Sequence, residues 1–363
     1  MKASVLREVG GPLSVEEVDL SDLGPREVRV RTVASGVCGS DLHVIQGDNP
    51  WQMPIVLGHE PAGVVEAIGR DVTAVAPGDH VVACSSAFCG HCDFCVEGRT
   101  FLCGGMETMR SEGEPPRLHQ GDLPVQQFAY ISSFAEAMVL HENSVVSIRK
   151  DMPLDRACLL GCGVLTGVGA ALNSAHVRAG ESTAVIGCGG VGLSVIQGCK
   201  IAGASEIVAV DTVEWKLDLA RKLGATQTVL ASDGNVVEQV LELTSGGVDY
   251  SFECIGNPAT TRDAVELLRP AGTCLLIGLM PVGTDFSLAG FDLVLSSKRV
   301  MGSLMGSNRF RLDIPKLVDF YMSGRLKLDE MISDRIALEN LGDAFDRMQS
   351  GSVARSVVMF DEA

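Results

Sequence analysis

The chain has 363 residues, a length that corresponds to about two domains of ~150 residues each. Hydrophobic residues make up 46% and charged residues 21%, a composition that builds a core and excludes a disordered chain. The net charge of −17 argues against nucleic acid as a partner. The apolar runs are shorter than the ~18 residues of a membrane-spanning helix, and no signal-peptide core is present at the start. We therefore expect a cytoplasmic protein without a membrane partner.

Residues 1–163 are rich in short β-type runs separated by glycine turns, such as VRVRTVASGV, AGVVEAIG and GDHVVAC. This pattern predicts a β-rich first domain. The motifs GVCGSDLH, GHEP and GCG supply Cys38, His59 and Cys162 from distant parts of this domain. Three nitrogen and sulfur ligands with an open fourth position are typical of a catalytic zinc site. Each of the three is a weak signal alone, because a lone Cys or His is more often a core residue.

Two acidic residues accompany these ligands. Glu60 adjoins His59 and either enters and leaves the metal shell or serves as a buried carboxylate beside it. Asp41 is placed to accept the free ring N–H of His59 and so to orient that ligand.

Residues 84–103, CSSAFCGHCDFCVEGRTFLC, contain a cysteine cluster with the spacing C-x2-C-x2-C-x7-C. Two-residue gaps let neighbouring sulfurs turn toward one point, and four thiolates fill a tetrahedral zinc shell, which predicts a structural site. The ferredoxin pattern C-x2-C-x2-C-x3-C-P has a shorter last gap and a proline that is missing here. The alternative is a set of unliganded thiols. The predicted ligands are Cys89, Cys92, Cys95 and Cys103.

A second domain begins near residue 164. The run STAVIGCGGVG leads from a strand through a G-x-G-x-x-G turn into an amphipathic helix, and the next strand, EIVAV, ends in Asp211. This order predicts a dinucleotide site with the pyrophosphate at the helix N-terminus. Asp211 would bind the ribose hydroxyls and repel a 2′-phosphate, which favours NAD over NADP. A glycine-rich turn of an unrelated α/β protein is the alternative. The predicted backbone contacts are Gly187, Gly189, Gly190, Val191 and Gly192.

Strand-like and helix-like runs then alternate to residue 304, which predicts an α/β fold with a doubly wound parallel sheet of the Rossmann type. Residues 305–363 are predicted to return to the first domain. The stretch 298–306, KRVMGSLMG, ends the parallel series, and an open edge there favours pairing with a second copy. We therefore expect a homodimer. The most polar segment, 106–124, is predicted to be an exposed loop.

The order and spacing of GVCGSDLH, GHEPAGVV, the cysteine cluster, GCGVLTG, VIGCGGVG and FECIG resemble those of the zinc-dependent medium-chain alcohol dehydrogenase family over essentially the whole chain. The resemblance implies a GroES-like catalytic domain and a Rossmann coenzyme domain with the active cleft between them. It also implies two zinc ions per chain and NAD.

By motif position, the resemblance assigns roles to further residues. Ser40 matches the hydroxyl that contacts the substrate alcohol, and His43 matches the far end of the family's proton relay. Trp51, Phe128 and Leu279 are candidates to line the substrate pocket, with core packing as the alternative. Further cofactor contacts implied by position, besides Asp211, are Lys216, Thr166 and Arg355.

Some features resemble particular branches of the family. The long loop after Cys103 is similar to that of class III-like dimeric members, but GVCGSD differs from the GVCHTD of glutathione-dependent formaldehyde dehydrogenases. Gly39 stands where several members carry Arg or His near the pyrophosphate. The stretch DTVEWK resembles bacterial members that keep their nicotinamide permanently bound.

The expected reaction is hydride transfer between NAD and a small primary or secondary alcohol, aromatic alcohols included, giving an aldehyde or ketone. One alternative is a nicotinoprotein that keeps its NAD tightly bound. Two others are a non-catalytic NAD-binding structural protein and a zinc-free reductase of quinones or enones. Zinc analysis and an assay with a panel of alcohols distinguish these hypotheses.

Overall fold

The computed structural model describes residues 1–111 and 113–360 and divides into two compact units. The first unit comprises Met1–Cys162, Asn308–Gly324 and Met331–Ala363, and the second comprises Gly163–Ser307 and Arg325–Glu330. Three segments that were predicted to lie in the first domain lie in the second unit, namely residue 163, 305–307 and 325–330. Two hydrogen bonds hold 325–330 there, because the Gln197 side-chain amide donates to the Lys327 carbonyl at 3.0 Å and accepts from the Lys327 N–H at 2.7 Å.

The elements are numbered in chain order. The strands are β1 Lys2–Leu6, β2 Leu13–Glu17, β3 Asp19–Leu20, β4 Glu27–Gly36, β5 Ile55–Val56, β6 Pro61–Ile68, β7 His80–Ala83, β8 Leu118–Gln120, β9 Leu123–Gln127, β10 Ala137–His141, β11 Val145–Ile148, β12 Ser182–Ile186, β13 Glu206–Asp211, β14 Gln227–Leu230, β15 Val248–Glu253, β16 Leu268–Leu276, β17 Arg299–Gly302, β18 Ile332–Ile336 and β19 Arg355–Met359. The α-helices are α1 Gly39–Gln46, α2 Asp93–Val96, α3 Leu154–Ala157, α4 Gly163–Gly169, α5 Gly190–Ala202, α6 Glu214–Leu223, α7 Val236–Leu243, α8 Pro258–Glu266, α9 Gly290–Leu295, α10 Phe310–Met322 and α11 Leu341–Gln349.

In the described chain no single helix has the length and apolar character to cross a membrane. One bent pair, Leu154–Gly161 with Gly163–Ser174, passes that test on length and composition alone.

The first unit is built on two largely antiparallel sheets, as its sequence pattern predicted. One has the order β2-β1-β5-β9-β8-β3, and the other has the order β11-β7-β6-β4-β19-β18 with β10 paired to β4. Strand β4 shows why these residues form a sheet, since Val28 and Val30 are buried while Arg29 between them is exposed. The C-terminal strand β19 pairs with β4, so this strand belongs to a sheet of the first unit.

The segment 106–124 is only partly the exposed loop that its polarity suggested. It contains the strand β8 and the start of β9, and Arg117 is buried beside them; Glu112 lies outside the described residues. The Arg117 Nε donates to Glu27 at 2.7 Å, and Arg110 donates to the same carboxylate through Nε at 3.0 Å and through Nη2 at 2.5 Å. Although burial raises the pKa of Glu27, these two guanidinium groups lower it to about 2. The carboxylate thus ties the segment to the start of β4.

We expect Glu27→Gln to lower the free energy of unfolding by about 3–5 kcal/mol at neutral pH, because two guanidinium groups lose their charged partner. The pKa of Glu27 is lowered on folding, so its stabilisation is present above the ordinary value of 4.5 and is lost as the pH falls toward 2. The difference between the parent and the variant in urea unfolding should therefore shrink over that interval. As a control, Glu66→Gln removes the exposed pair with Arg29 and should cost under ~1 kcal/mol at any pH. A pH-independent difference for Glu27→Gln would contradict this reading.

The second unit contains one parallel sheet with the order β14-β13-β12-β15-β16-β17. Apolar residues of its strands, such as Ile186, Val208 and Val210, form one buried cluster with residues of α7 and α8. The first strand of the unit, β12, lies in the middle of the sheet, with β13 and β14 on one side and β15, β16 and β17 on the other. The carboxyl end of β12 is therefore the topological switch point of the sheet. Within the described residues, strand β17 pairs only with β16 and is an edge strand, as predicted for this stretch.

Candidate functional site

The first unit brings Cys38, His59, Glu60 and Cys162 together, as the sequence predicted. Cys38 precedes α1, the His59–Glu60 pair precedes β6, and Cys162 follows the short helical turn Cys158–Gly161. All four residues are buried, and one ligand atom from each lies within 4.8 Å of the others. Two sulfurs, one ring nitrogen and one carboxylate oxygen form a donor set that suits zinc.

The orientation of His59 supports a metal at this point. Its Nδ1 lies 3.2 Å from the Asp41 carboxylate, which also accepts the backbone N–H groups of Gly58 at 2.9 Å and Cys38 at 3.3 Å. The Asp41 carboxylate therefore fixes the orientation of the His59 ring through Nδ1. The opposite atom, Nε2, is buried and has no hydrogen-bond partner among the described residues. A buried ring nitrogen without a partner is costly unless a cation occupies the space before it.

The two cysteines of this cluster differ in acidity. The hydrogen bond from Cys162 holds the pKa of the Cys38 thiol well below its usual value, and the same interaction raises the pKa of Cys162. Cys84 lies close enough to add to the latter effect, but burial raises its own pKa to about 11. Cys84 is therefore a protonated core thiol.

Glu60 has a partner that the sequence analysis did not foresee. Its carboxylate forms a buried ion pair with Arg355 of β19, the residue that the resemblance had assigned to the coenzyme pyrophosphate. Burial raises the pKa of Glu60 to about 7, and the Arg355 guanidinium opposes that rise. Gly36 leaves room for the pair, because a Cβ atom there would lie 2.3 Å from a Glu60 oxygen. In this structure the Arg355 guanidinium contacts Glu60, and only 4% of Arg355 is exposed.

The four cysteines of the predicted structural site also meet. The ligand atoms of Cys89, Cys92, Cys95 and Cys103 lie within 4.8 Å of one another, in the loop around α2. Backbone N–H groups already stabilise negative sulfur there, since the Cys92 N–H lies 3.3 Å from the Cys89 sulfur. Donation from the backbone of His91 and Cys92 lowers the pKa of Cys89 to about 6. Four sulfurs at this spacing fill a closed tetrahedral shell.

The two predicted relay residues lie on one face of α1. Ser40 is next to the metal cluster, with its hydroxyl oxygen 3.9 Å from the Cys38 sulfur. His43 is one turn further along the helix, is 30% exposed, and its Nδ1 lies 3.0 Å from the Asp48 carboxylate. Sequence reasoning missed Asp48, although its position in the turn after the helix is a signal for such a contact.

Aromatic rings flank the cluster on the side of His59. The Phe128 ring lies edge-to-face with His59 at 5.3 Å and with Trp51 at 5.2 Å between centroids. Tyr130 extends this group at 6.2 Å from Trp51. Two of the candidate pocket residues are thus near the metal ligands. Leu279, the third, belongs to the second unit and is 55% exposed.

In the second unit, the glycine turn has the geometry that a dinucleotide site requires. Gly187 adopts a left-handed conformation with φ of 93°, and α5 begins at Gly190 and includes Val191 in its first turn. A Cβ atom on Gly192 would lie 1.8 Å from the Gly187 carbonyl oxygen, so only glycine fits. The N-terminus of a helix that follows such a tight glycine turn presents backbone N–H groups that suit a phosphate.

Asp211, the predicted ribose contact, is the last residue of β13 and also forms hydrogen bonds with the neighbouring backbone. Its carboxylate accepts the backbone N–H of Cys188 at 2.7 Å and that of Val213 at 3.0 Å. Lys216 lies in the first turn of α6 with its ammonium 5.9 Å from the Trp215 ring. Thr166, on α4, is buried and its hydroxyl contacts the Met305 sulfur at 3.7 Å.

Comparisons with known proteins agree with both units. Residues 24–150 match the family model "Alcohol dehydrogenase GroES-like domain", and residues 190–323 match "Zinc-binding dehydrogenase". The chain is 40% identical to S-(hydroxymethyl)glutathione dehydrogenase of Saccharomyces cerevisiae, covering 99% of this chain and 96% of that protein. It superposes with a TM-score of 0.94 on an alcohol dehydrogenase zinc-binding domain protein from Burkholderia ambifaria, at 35% identity and 99% coverage of both chains. Benzyl alcohol dehydrogenase from Acinetobacter calcoaceticus gives 0.93 at 33% identity, also covering 99% of both.

The fold and the ligand sets define a zinc-binding dehydrogenase with a GroES-like domain and a Rossmann domain. The chain belongs to the zinc-dependent medium-chain alcohol dehydrogenase family. It is an enzyme of alcohol oxidoreduction, and its cofactors are zinc and NAD.

Proposed function

We propose that this enzyme oxidises small alcohols to aldehydes or ketones with NAD, and that aromatic primary alcohols are its preferred substrates. The observation that carries the proposal is the buried set of Cys38, His59 and Cys162 with the Ser40 hydroxyl beside it. The carboxylate of Glu60 is the fourth donor nearby, and it pairs with the Arg355 guanidinium. Because Glu60 has this partner, it need not coordinate the metal, and the fourth ligand position is available to an alcohol oxygen.

When bound, zinc supplies Lewis-acid polarisation of an alcohol oxygen, and NAD supplies the hydride acceptor. Residues of the chain orient the metal ligand and transfer the proton. Asp41 orients His59 through Nδ1, and Ser40 accepts the proton of the alcohol. His43, which is partly exposed, exchanges that proton with solvent.

The preference for aromatic alcohols rests on the rings beside His59. Trp51, Phe128 and Tyr130 form an edge-to-face group, and Phe128 contacts the ligand itself. Aromatic pairs in such arrangements gain energy beyond their buried area. A benzyl alcohol placed with its oxygen toward the metal ligands would present its ring to this group. The benzyl alcohol dehydrogenase with a TM-score of 0.93 supports the same substrate class.

The test is NADH formation with ethanol, benzyl alcohol and S-(hydroxymethyl)glutathione, run with and without added NAD⁺. We expect the highest kcat/KM with benzyl alcohol. Trp51→Leu keeps apolar packing but removes the ring, and should raise the KM for benzyl alcohol about tenfold with little change for ethanol. The highest kcat/KM with S-(hydroxymethyl)glutathione would instead favour the activity of the yeast relative. Turnover that is independent of added NAD⁺ would favour a permanently bound coenzyme.

We also propose that NAD is preferred over NADP because of the Asp211 carboxylate. Asp211→Gly should lower the preference in kcat/KM by at least about tenfold, or ~1.4 kcal/mol. The same change removes the acceptor for Cys188 and Val213, so the melting temperature should also fall. Asp211→Asn separates the two effects, since it keeps one acceptor oxygen while removing the charge. A parent enzyme that already prefers NADP would contradict this assignment.

We propose a homodimer that pairs through β17. This edge strand adjoins an exposed apolar surface that includes Phe291, Val294 and Leu295 of α9, each more than two-thirds exposed. Apolar side chains at an unpaired edge are a hazard in a monomer, whereas a second copy would cover them. Light scattering should therefore show a particle of twice 38.3 kDa, and Val294→Asp should shift it toward the monomer. A parent protein that stays monomeric would refute the proposal.

We further propose a cytoplasmic location. All twelve cysteines are free thiols in the structure, and six of them belong to the two ligand sets, which must stay reduced to bind zinc.

A further inference from the structure

Three loops meet around the carboxyl end of β12. They are the glycine turn after β12, the turn after β13 that starts at Asp211, and the segment Cys254–Gly256 after β15. Strands β13 and β15 are the two neighbours of β12, and ligands of such sheets bind where the strand order departs to both sides. The first two loops have assigned roles in coenzyme binding, while the third has none.

The third loop is organised by a carboxylate. Glu253, the last residue of β15, is fully buried, and its Oε1 accepts the N–H groups of Ile255 and Gly256, both at 2.9 Å. The same oxygen accepts the Thr260 hydroxyl at 2.9 Å, and Oε2 accepts the Gly256 N–H at 3.1 Å. In the part of the chain that the structure describes, no cation pairs with Glu253. These hydrogen bonds join the carboxylate to the loop, so the loop conformation and the position of the carboxylate depend on each other.

The loop is also in close contact with the coenzyme turn. A Cβ atom on Gly187 would lie 2.7 Å from Cγ1 of Ile255, so the two loops touch with no spare room. On its other side, a Cβ atom on Gly278 would lie 2.1 Å from the Gly256 nitrogen. A shift of Cys254–Gly256 would therefore displace its neighbours. Ile255 is 49% exposed and presents an apolar side chain next to the turn.

We propose that Glu253 is a positioning residue for coenzyme binding, which holds Ile255 as an apolar wall of the site beside Gly187. The proposal rests on the proposed function, because it assumes a dinucleotide at the end of β12. Ile255 lies beside the glycine turn that contains Cys188. The Cys188 N–H of this turn donates to Asp211, the residue proposed to bind the ribose. The Ile255 side chain is therefore expected to contact the adenosine half of the coenzyme. Because ADP-ribose contains this half and lacks nicotinamide, a change at Ile255 should weaken binding of ADP-ribose as much as binding of NADH.

The experiment measures Kd for NADH by fluorescence and for ADP-ribose by calorimetry, using the holoenzyme. Glu253→Ala removes the acceptor of four hydrogen bonds and should raise both Kd values about tenfold. Glu253→Gln keeps an oxygen for the three bonds to Oε1 and should recover most of the affinity. Since the wall acts on binding, kcat at saturating NAD⁺ should stay within about twofold of the parent while KM for NAD⁺ rises.

The matched control is Ser251→Ala on the same strand, which removes a buried hydrogen bond to the Ala264 carbonyl at 2.6 Å, away from the three loops. It should lower the melting temperature without changing either Kd. The positioning role is overturned if both Glu253 variants bind ADP-ribose like the parent, or if Ser251→Ala weakens binding as much as they do. If Glu253→Ala does not fold, Ile255→Ala takes its place, because it removes the apolar side chain and leaves the hydrogen bonds of Glu253 intact. An unchanged Kd for ADP-ribose in Ile255→Ala overturns the proposal as well. A parent enzyme that binds neither NADH nor ADP-ribose would overturn the proposed function too, which separates the two failures.

Discussion

His59→Asn should abolish alcohol oxidation, with a fall in kcat/KM of at least about a thousandfold, because Lewis-acid stabilisation of the reacting oxygen is worth several kcal/mol. The asparagine amide can still donate to Asp41 in place of Nδ1, so the hydrogen bonds behind the ring are preserved. The change removes Nε2, the buried atom without a partner. Elemental analysis should show about one zinc per chain instead of about two, while the melting temperature changes little.

Two cysteine variants provide the controls. Cys95→Ser should also leave about one zinc per chain, but its main effect should be lower stability, because three thiolates then lack a fourth partner. Cys84→Ser changes a buried thiol near the catalytic cluster that is protonated, since burial raises its pKa to about 11. It should retain both metals and the parent activity. Activity of His59→Asn above one-hundredth of the parent value, with one zinc lost, would show that the Cys38–His59–Cys162 set is not the catalytic centre.

The ligand sets could be predicted from the sequence because their chemistry is carried by residue type and spacing. Cys89, Cys92 and Cys95 are close in sequence, so their meeting follows from local geometry. Cys38 and Cys162 are far apart, and their assignment depended on the whole pattern of motifs. The strand, turn and helix around Gly187 were predictable for the same local reason, since periodicity and glycine spacing define them.

The charged contacts between distant segments were not predictable in this way. Arg355 and Glu60 are 295 residues apart, and Arg117 and Glu27 are 90 apart. No sequence pattern states which guanidinium meets which carboxylate once the sheets have formed. As a result, the pairing of Arg355 with Glu60 was not predicted. The polarity of 106–124 was read as exposure, although Arg117 is a buried partner of Glu27.

The hydrogen bonds of Glu253 could not be predicted for a different reason. A glutamate at the end of a strand has no special spacing, and its importance depends on the backbone N–H groups that fold back onto it. Asp211 was found because an acid after the second strand belongs to the dinucleotide pattern. Both carboxylates nevertheless do similar work, since each accepts backbone N–H groups of a loop at the carboxyl end of the sheet.

The second large effect concerns the path of the proton from the alcohol. Ser40 and His43 are three residues apart on α1 and therefore share a face of the helix. Ser40 lies beside the metal ligands, whereas His43 is partly exposed and is held by Asp48. Histidine is the side chain suited to proton exchange near neutral pH. This placement is what a relay from a hydroxyl beside the metal ligands to solvent requires.

Ser40→Ala should lower the rate of alcohol oxidation about a hundredfold or more, since the first proton acceptor is removed. Raising the pH should not restore this loss. His43→Gln should lower the rate at pH 7 about tenfold, and a higher pH should recover much of it, because hydroxide can then take the proton that Ser40 releases. Asp48→Asn should have a smaller effect, as the imidazole remains present. His176→Gln, at an exposed site in the second unit, is the matched control and should leave the pH profile unchanged. If His43→Gln keeps the parent rate and pH profile with its zinc content intact, the proton leaves by another route and the exposed imidazole of His43 has no part in catalysis.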